Sequence, residues 1–377
     1  MKKVFMFVNV DWFFFSHRMP IAKKALENNV QMRVYTEFTF KEKHPDIKNF
    51  SLFQSPLSRS TKNYGLFLIE FIKLYLLIRK NRPDLIHAVT IKPIIFLGIV
   101  SRLTGIPFIG AVTGLGPVFN RKTIFSRIRL MLVMNIYRFI FRSKSSVIIC
   151  QNRHDKEILD NYRVASESEK LIIPGSGVNL EKFKPGEFKK QIPMVLMASR
   201  ILKEKGVYEF CSAAKSFYKE DNKKVKFMLA GPIDSSSPSS ISSKALKSLC
   251  HDSGVDYLGD IKDLNLLLAK VSIFVLPSYY SEGLPKVLLE AAASGCPIVT
   301  TDHPGCRDAI VNNKTGILVE IRNPKVLKSA ISNLLAEPNK LISMGKASRN
   351  LAEELFDEKK VIEAHYALYE KYANKPS

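Results

Sequence analysis

At 377 residues the chain exceeds what one hydrophobic core usually organises, so two domains are expected. Its 46% hydrophobic and 24% charged residues exclude a disordered or collagen-like chain. The formal charge of +22 is lopsided: residues 1–185 hold 30 basic and 13 acidic residues, a net of +17, and residues 186–377 hold 27 and 22, a net of +5. A basic half calls for an anionic partner such as phospholipid headgroups, nucleic acid or a phosphorylated substrate, and five widely spaced cysteines with no CxxC exclude a disulfide framework and a zinc site.

The chain opens MKKVFMFVNVDW. Its apolar run is about seven residues long and ends at Asp11 without a small-residue cleavage site, so it reads as a first buried strand and not as a secretory leader. A cytoplasmic protein is expected on that ground. A helix over 19–28 follows, then a strand at 31–36, a helix at 64–80 and strands at 85–89, 107–112 and 146–151. These strands are continuous apolar runs without period-2 alternation, the pattern of strands covered on both faces in a parallel sheet. The segment NVDWFFFSHRMPIA (9–22) is read as the loop after the first strand. There Asn9, Asp11, Ser16, His17 and Arg18 are candidates for substrate contact. His17 fits equally a helix N-terminal residue bonded to backbone. No run of 18 uncharged apolar residues occurs, so no spanning helix is expected.

Two basic stretches interrupt the first half. Residues 62–82, KNYGLFLIEFIKLYLLIRKNR, and 121–145, RKTIFSRIRLMLVMNIYRFIFRSKS, mix apolar residues with cations. In the second stretch Arg121, Lys122, Arg127, Arg129, Arg138, Arg142 and Lys144 meet no acid. Basic amphipathic helices read as membrane-surface elements, each cation near anionic lipid contributing ~1 kcal/mol. The plainer reading is two helices packed on the sheet with basic outer faces.

Residues 181–193, EKFKPGEFKKQIP, have proline, glycine and charge but no hydrophobic period, as a linker should. The βα pattern then restarts with strands at 193–199, 225–231, 256–259, 272–277 and 297–301, and helices at 206–219, 241–252 and 284–294. SSSPSSISS (235–243) reads as a mobile surface loop. Domains are thus expected over 1–183 and 193–360, with 361–377 a last helix returning to the first domain. The fold class is α/β, two Rossmann-like doubly wound domains facing a central cleft, with ligands beyond the carboxyl ends of the strands.

Two constellations in the second half carry chemistry. In SYYSEGLPKVLLEAAASG (278–295), a buried strand ends at Pro277 and a helix is expected to open at Gly283–Leu284, with Pro285 in its first turn and Gly295 at its C-terminal cap. Free N–H groups and the positive end of the helix dipole make an anion site there. Glu290 lies among apolar neighbours, where a carboxylate needs a hydrogen-bond donor. In ASRILKEKG (198–206), Arg200 and Lys205 follow a strand; such a pair suits a diphosphate, and equally an ordinary basic loop.

Taken with LAGP (229–232) and YLGDIKDLNLLLAKVSIFVLPS (257–278), these motifs resemble glycosyltransferase family 4, retaining enzymes of the GT-B fold, over nearly the whole chain. The resemblance implies that Arg200 and Lys205 hold the donor diphosphate and stabilise the leaving nucleotide. It places Ser199 and Gly231 in the donor site. Glu282, eight residues before Glu290 in the family's E-x7-E motif, would bond the transferred sugar. Gly283 and Leu284 would offer N–H groups to the diphosphate, and Glu290 would take the ribose hydroxyls. Leu258 and Gly259 would lie by the base, which suits uracil or another base.

The SHRMP run resembles a subgroup acting in surface polysaccharide assembly. Thr113 stands where many relatives carry a histidine, and Gly114 and Gly116 form a close-approach loop. No metal pair stands at a strand end, so no metal and no cofactor is expected beyond a nucleotide sugar, taken as UDP-linked. The acceptor is expected to be a lipid-diphosphate-linked saccharide, and the enzyme to lie peripherally on the inner face of the plasma membrane. A GT-B sugar-nucleotide epimerase is the alternative enzyme; it needs no lipid acceptor, and the basic helices argue against it. Nucleic-acid binding is suggested by charge alone, without a stacking platform, and is not expected.

Overall fold

The computed structural model describes residues 1–39, 48–58, 64–115, 124–165, 170–186, 192–220, 224–235 and 237–374. Gly116, Arg121, Lys122, Ser236 and residues 187–191 of the expected linker lie outside them. The chain divides into two compact units, Met1–Ser176 with Lys360–Ser377, and Gly177–Lys359.

The first unit is a parallel sheet of β1 (Lys3–Val10), β2 (Gln31–Glu37), β3 (Ser51–Gln54), β4 (Leu85–Val89), β5 (Phe108–Val112), β6 (Ser146–Cys150) and β7 (Lys170–Ile172). Among the described residues their order is β3-β2-β1-β4-β5-β6-β7, with Met6 of β1 opposite Val34 on one side and His87 on the other. Side chains alternate between two apolar layers. Phe5 and Phe7 pack with the helices Tyr64–Asn81, Ile91–Thr104 and Ile124–Phe141; Val4, Met6 and Val8 pack with Ile21, Ala22, Val361, Leu368 and Tyr369. The helix Glu358–Tyr372 thus supplies part of this unit's core.

The second unit is a parallel sheet of β8 (Met194–Ala198), β9 (Lys226–Ala230), β10 (Val255–Tyr257), β11 (Ile273–Leu276), β12 (Ile298–Thr301) and β13 (Gly316–Val319), in the order β10-β9-β8-β11-β12-β13. In both units the strand order reverses beside the first strand, between β1 and β4 and between β8 and β11. Such a switch point splays neighbouring loops apart and leaves a crevice at the carboxyl ends.

Several expectations are corrected. β3, β7 and β13 were not anticipated; all three are edge strands of only three or four residues, and β3 and β7 have exposed positions, so they lack the run that double-faced burial writes into sequence. Residues 9–22 are not a loop: helix begins at Asp11 and passes through a π-turn, Phe14–Arg18, before Met19–Glu27. The Ser-rich segment is anchored. Lys203 N–H donates to Ser239 O at 3.0 Å, Ile241 is buried in the core, and Ser242 caps the helix Ser243–Ser253. Residues 177–183, which overlap the expected linker, are held within the second unit. Val178 N–H donates to Phe356 O at 2.8 Å, and Arg349 Nη1 to Phe183 O at 2.8 Å.

Candidate functional site

The residues expected on the donor side gather within the second unit on the loops after β8, β9, β10 and β11. At the end of β8, Ser199 N–H donates to Ala230 O at 3.0 Å and its hydroxyl to Arg200 O at 3.0 Å. Gly231 packs so closely here that a methyl group would collide with the Ser199 carbonyl, and its φ of +131° is open only to glycine. Gly231 N–H reaches Gly259 O at 2.7 Å, while Leu258 N–H reaches Leu229 O at 2.8 Å. Gly259 has open space where a side chain would stand, and Leu258 is exposed. A flat group can approach that backbone edge.

Two cations follow β8. Arg200 Nη1 lies 2.9 Å from Asp234 Oδ2. Lys205 ends a 3-10 turn, Lys203–Lys205, closed by Gly206 in the left-handed region against the Pro277 carbonyl. The Glu204 carbonyl accepts from Tyr279 N–H at 2.9 Å and from the Ser278 hydroxyl at 3.3 Å, which stitches the β8 loop to the β11 loop. That stitch brings the buried Lys205 ammonium onto the Glu282 carboxylate and within 5.3 Å of the Tyr280 ring centre. Glu282 and Gly283 rest on the turn at Gly305. Asp234, Glu204 and Tyr280 were missed by sequence reasoning. Asp234 alone left a signal, four residues beyond the β9 end.

The helix after β11 opens later than expected. It runs Lys286–Ala293 with Pro285, φ −61° and ψ 115°, as its N-cap and not within its first turn. A residue before proline resists the α-conformation, so Leu284 stays outside the helix. Gly283 and Leu284 therefore lie on the approach to the helix N-terminus. Gly295, at φ +71°, closes the other end as expected.

Glu290 is half-buried on this helix. Burial pushes its carboxyl up to about 7, with Lys286 and Lys182 pulling the other way. Among the described residues no group donates a hydrogen bond to that carboxyl.

The candidates in the first unit divide. Asn9, at the end of β1, and Thr113 and Gly114, after β5, are partly exposed, and Gly114 has φ +113°. Ser16 and His17 are also partly exposed; the hydroxyl bonds back to Trp12 O at 2.7 Å and meets His17 Nδ1 at 2.5 Å, while His17 stacks on Phe13. Asp11 and Arg18 point inward. Asp11 is buried and accepts from Thr39 N–H at 2.7 Å and the Thr39 hydroxyl at 2.5 Å. Arg18 is buried beside Phe13 and Tyr369, and burial lowers its guanidinium to about 10. Asp11 ties the turn after β1 to Thr39, while Arg18 is enclosed with its Nε and Nη1 unpartnered.

Two family models cover the chain: one described as Glycosyl transferase 4-like matches residues 3–152, and one described as Glycosyl transferases group 1 matches residues 178–351. Over 371 residues the chain is 29% identical to the N,N'-diacetylbacillosaminyl-diphospho-undecaprenol alpha-1,3-N-acetylgalactosaminyltransferase of Campylobacter jejuni, covering 94% of each chain. It is 27% identical over 272 residues to the UDP-Gal:alpha-D-GlcNAc-diphosphoundecaprenol alpha-1,3-galactosyltransferase of Escherichia coli, covering 67% of each. Among solved structures it is similar in fold to sucrose-phosphate synthase from Thermosynechococcus elongatus, with a TM-score of 0.78 at 19% identity over 98% of this chain and 99% of that one.

Proposed function

The chain belongs to the family 4 glycosyltransferases of the GT-B fold, and from that premise we propose that it moves a hexose or N-acetylhexosamine from a UDP-linked donor, with retention, to a saccharide carried on a lipid diphosphate. The observation that carries this reading is the grouping of Arg200, Lys205 and the approach to the Lys286–Ala293 N-terminus on adjoining loops of one switch point, with Glu290, its carboxyl raised by burial, on the same helix. Relatives named for diphosphoundecaprenol-linked acceptors, one of them for a UDP-sugar, support the acceptor and the base.

In this mechanism the bond between the sugar's anomeric carbon and the diphosphate oxygen breaks, and the diphosphate keeps the electron pair. Charge appears on that oxygen as it leaves. Arg200 and Lys205, turned from their carboxylate partners, and the backbone at Gly283 and Leu284 meet it there, and such charge stabilisation is the largest electrostatic aid a site of this kind can give. The acceptor hydroxyl attacks from the face the diphosphate leaves, and its proton passes to the departing phosphate oxygen. Glu282, freed from Lys205 as the diphosphate takes up that cation, bonds the transferred sugar. Glu290 accepts from the ribose hydroxyls. The two side-chain cations do the work a metal does elsewhere, so no metal is required. A lipid-borne acceptor places the reaction at the inner face of the plasma membrane, in surface polysaccharide assembly.

The test is transfer by the purified protein from a panel of UDP-sugars to a diphosphoundecaprenol-linked saccharide, with and without EDTA. An extended lipid and free UDP are expected, with the donor's anomeric configuration kept in the new linkage and no effect of EDTA. An inverted linkage, a requirement for metal, or conversion of the nucleotide sugar to an epimer without acceptor would overturn the corresponding part.

A further inference from the structure

The helix that carries Glu290 is short and is held from its far end. Lys286–Ala293 spans eight residues, with no side-chain bond at its N-cap. A helix of that length is marginal alone, so its place comes from packing. Its last four carbonyls, which no helix can satisfy internally, are all taken. Glu290 O, Ala291 O and Ala292 O accept from Ser294, Cys296 and Gly295 N–H at 3.0, 3.0 and 2.9 Å. Ala293 O accepts from Arg349 Nη1 at 2.7 Å. Arg349 lies in the helix Pro338–Leu351, and its side chain is only 18% exposed. The same Nη1 donates to Phe183 O at 2.8 Å, both terminal nitrogens stand 3.5 Å from Leu180 O, and Nε reaches Glu353 Oε1 at 2.6 Å. One turn earlier, Gly345 lies so close to Gly295 O that a methyl group would stand 2.4 Å from it.

A planar guanidinium can serve several carbonyls at once; an ammonium, a single point of charge, cannot hold the same fork. A cation at a helix C-terminus also complements the helix dipole. The clamp joins three segments far apart in the chain: residues 180–183, the end of the Glu290 helix and the Arg349 helix. Lys182 sits between the clamped carbonyls of Leu180 and Phe183. Its charge, with that of Lys286, opposes the burial that raises the Glu290 carboxyl. We propose that Arg349 is a positioning residue for the nucleotide: it fixes the Glu290 helix and the 180–183 segment as one body, and so sets where the Glu290 carboxylate meets the ribose. Arg349 itself touches no substrate. The inference rests on the reading of Glu290 as the group that takes the ribose hydroxyls.

A double-mutant cycle in the full chain tests it, with UDP as the probe. Arg349→Lys keeps the charge but not the fork. The variant should fold and bind UDP about tenfold more weakly, the scale of one lost charge-assisted hydrogen bond. The KM for the donor should rise by the same factor. Turnover at saturating donor should stay within about twofold of wild type, because Arg200 and Lys205 stand on the loop after β8. Amides of Ser294, Gly295 and Cys296 should exchange with deuterium about tenfold faster. Glu353→Gln removes the outer partner alone and should bind UDP as wild type does. In a Glu290→Gln background, Arg349→Lys should weaken UDP by less than about twofold, since the contact it positions is already gone. Equal UDP affinity in wild type and Arg349→Lys would overturn the inference. So would a full tenfold loss in the Glu290→Gln background, which would make Arg349 a clamp for the fold alone. Wild-type protein that binds no nucleoside diphosphate would sink the proposed function and this inference with it, a result distinct from either of those.

Discussion

Glu290 is an acid whose ordinary state is costly where it stands. Because its folded carboxyl is raised to about 7 while the unfolded one titrates near 4.5, the contribution of Glu290 to stability falls as pH rises between those values and is level above 7, a slope opposite in sign to that of the buried His87 and His365. If Glu290 takes the ribose hydroxyls as proposed, its ionised form is the one that accepts them, and donor binding should weaken as pH falls through about 7. Titrating donor affinity between pH 5.5 and 8.5 checks this, and Glu290→Gln should bind weakly throughout with that pH dependence gone. A wild-type profile flat across 7 would remove the ribose assignment. Arg200 carries the complementary prediction: Arg200→Ala should lower turnover at saturating donor by about 10²-fold or more, the scale of one transition-state charge contact. Near-normal turnover would place Arg200 with Asp234 as a structural pair only. The residue types were legible in sequence, since a strand-end Arg and Lys and a Glu in an apolar helix are local patterns. Their partners were not: Lys205 and Glu282 lie 77 positions apart, and only the Glu204 stitch between two loops joins them.

At the scale of elements the site depends on loop geometry more than on regular structure. Gly231→Ala puts a methyl against the Ser199 carbonyl in a backbone conformation closed to alanine, and should destabilise the protein by about 1–3 kcal/mol and weaken donor binding. Gly259→Ala has open space and only left-handed strain, so it should lose less unfolding free energy, about 1–2 kcal/mol, and shift the urea midpoint less. Urea unfolding of both variants side by side measures the contrast, and equal shifts would show that the Gly231 collision is relieved elsewhere. The central strands were readable because each is covered on both faces. The turn after β1 was misread as loop because FFFSHR has no clean helical period; a π-turn places side chains off the 3.6-residue register.

The whole molecule closes its first unit with residues from its far end. Tyr369 donates to or accepts from His87 Nδ1 at 2.7 Å, and His365 lies beside His87 in the same buried layer. Burial, then the nearby Arg18, holds His365 down to about 3; burial, then His365 and Arg18, holds His87 well below its usual range. Both are depressed bases, so the unfolded chain takes up protons first as pH falls below about 6.5, and stability should drop from there toward pH 3. Urea midpoints between pH 4.5 and 8 should show that slope, and His365→Leu should flatten it; an unchanged slope would mean that other groups set the acid limit. The sequence by itself determined two parallel α/β units and where the proposed diphosphate-binding residues stand in the chain, because double-faced strands and strand-end motifs are local patterns that burial writes into neighbouring residues. Only the tertiary structure decided which charge faces which, and that Asp11 and Arg18 turn inward. Those outcomes depend on packing between segments distant in the chain, which no local period records.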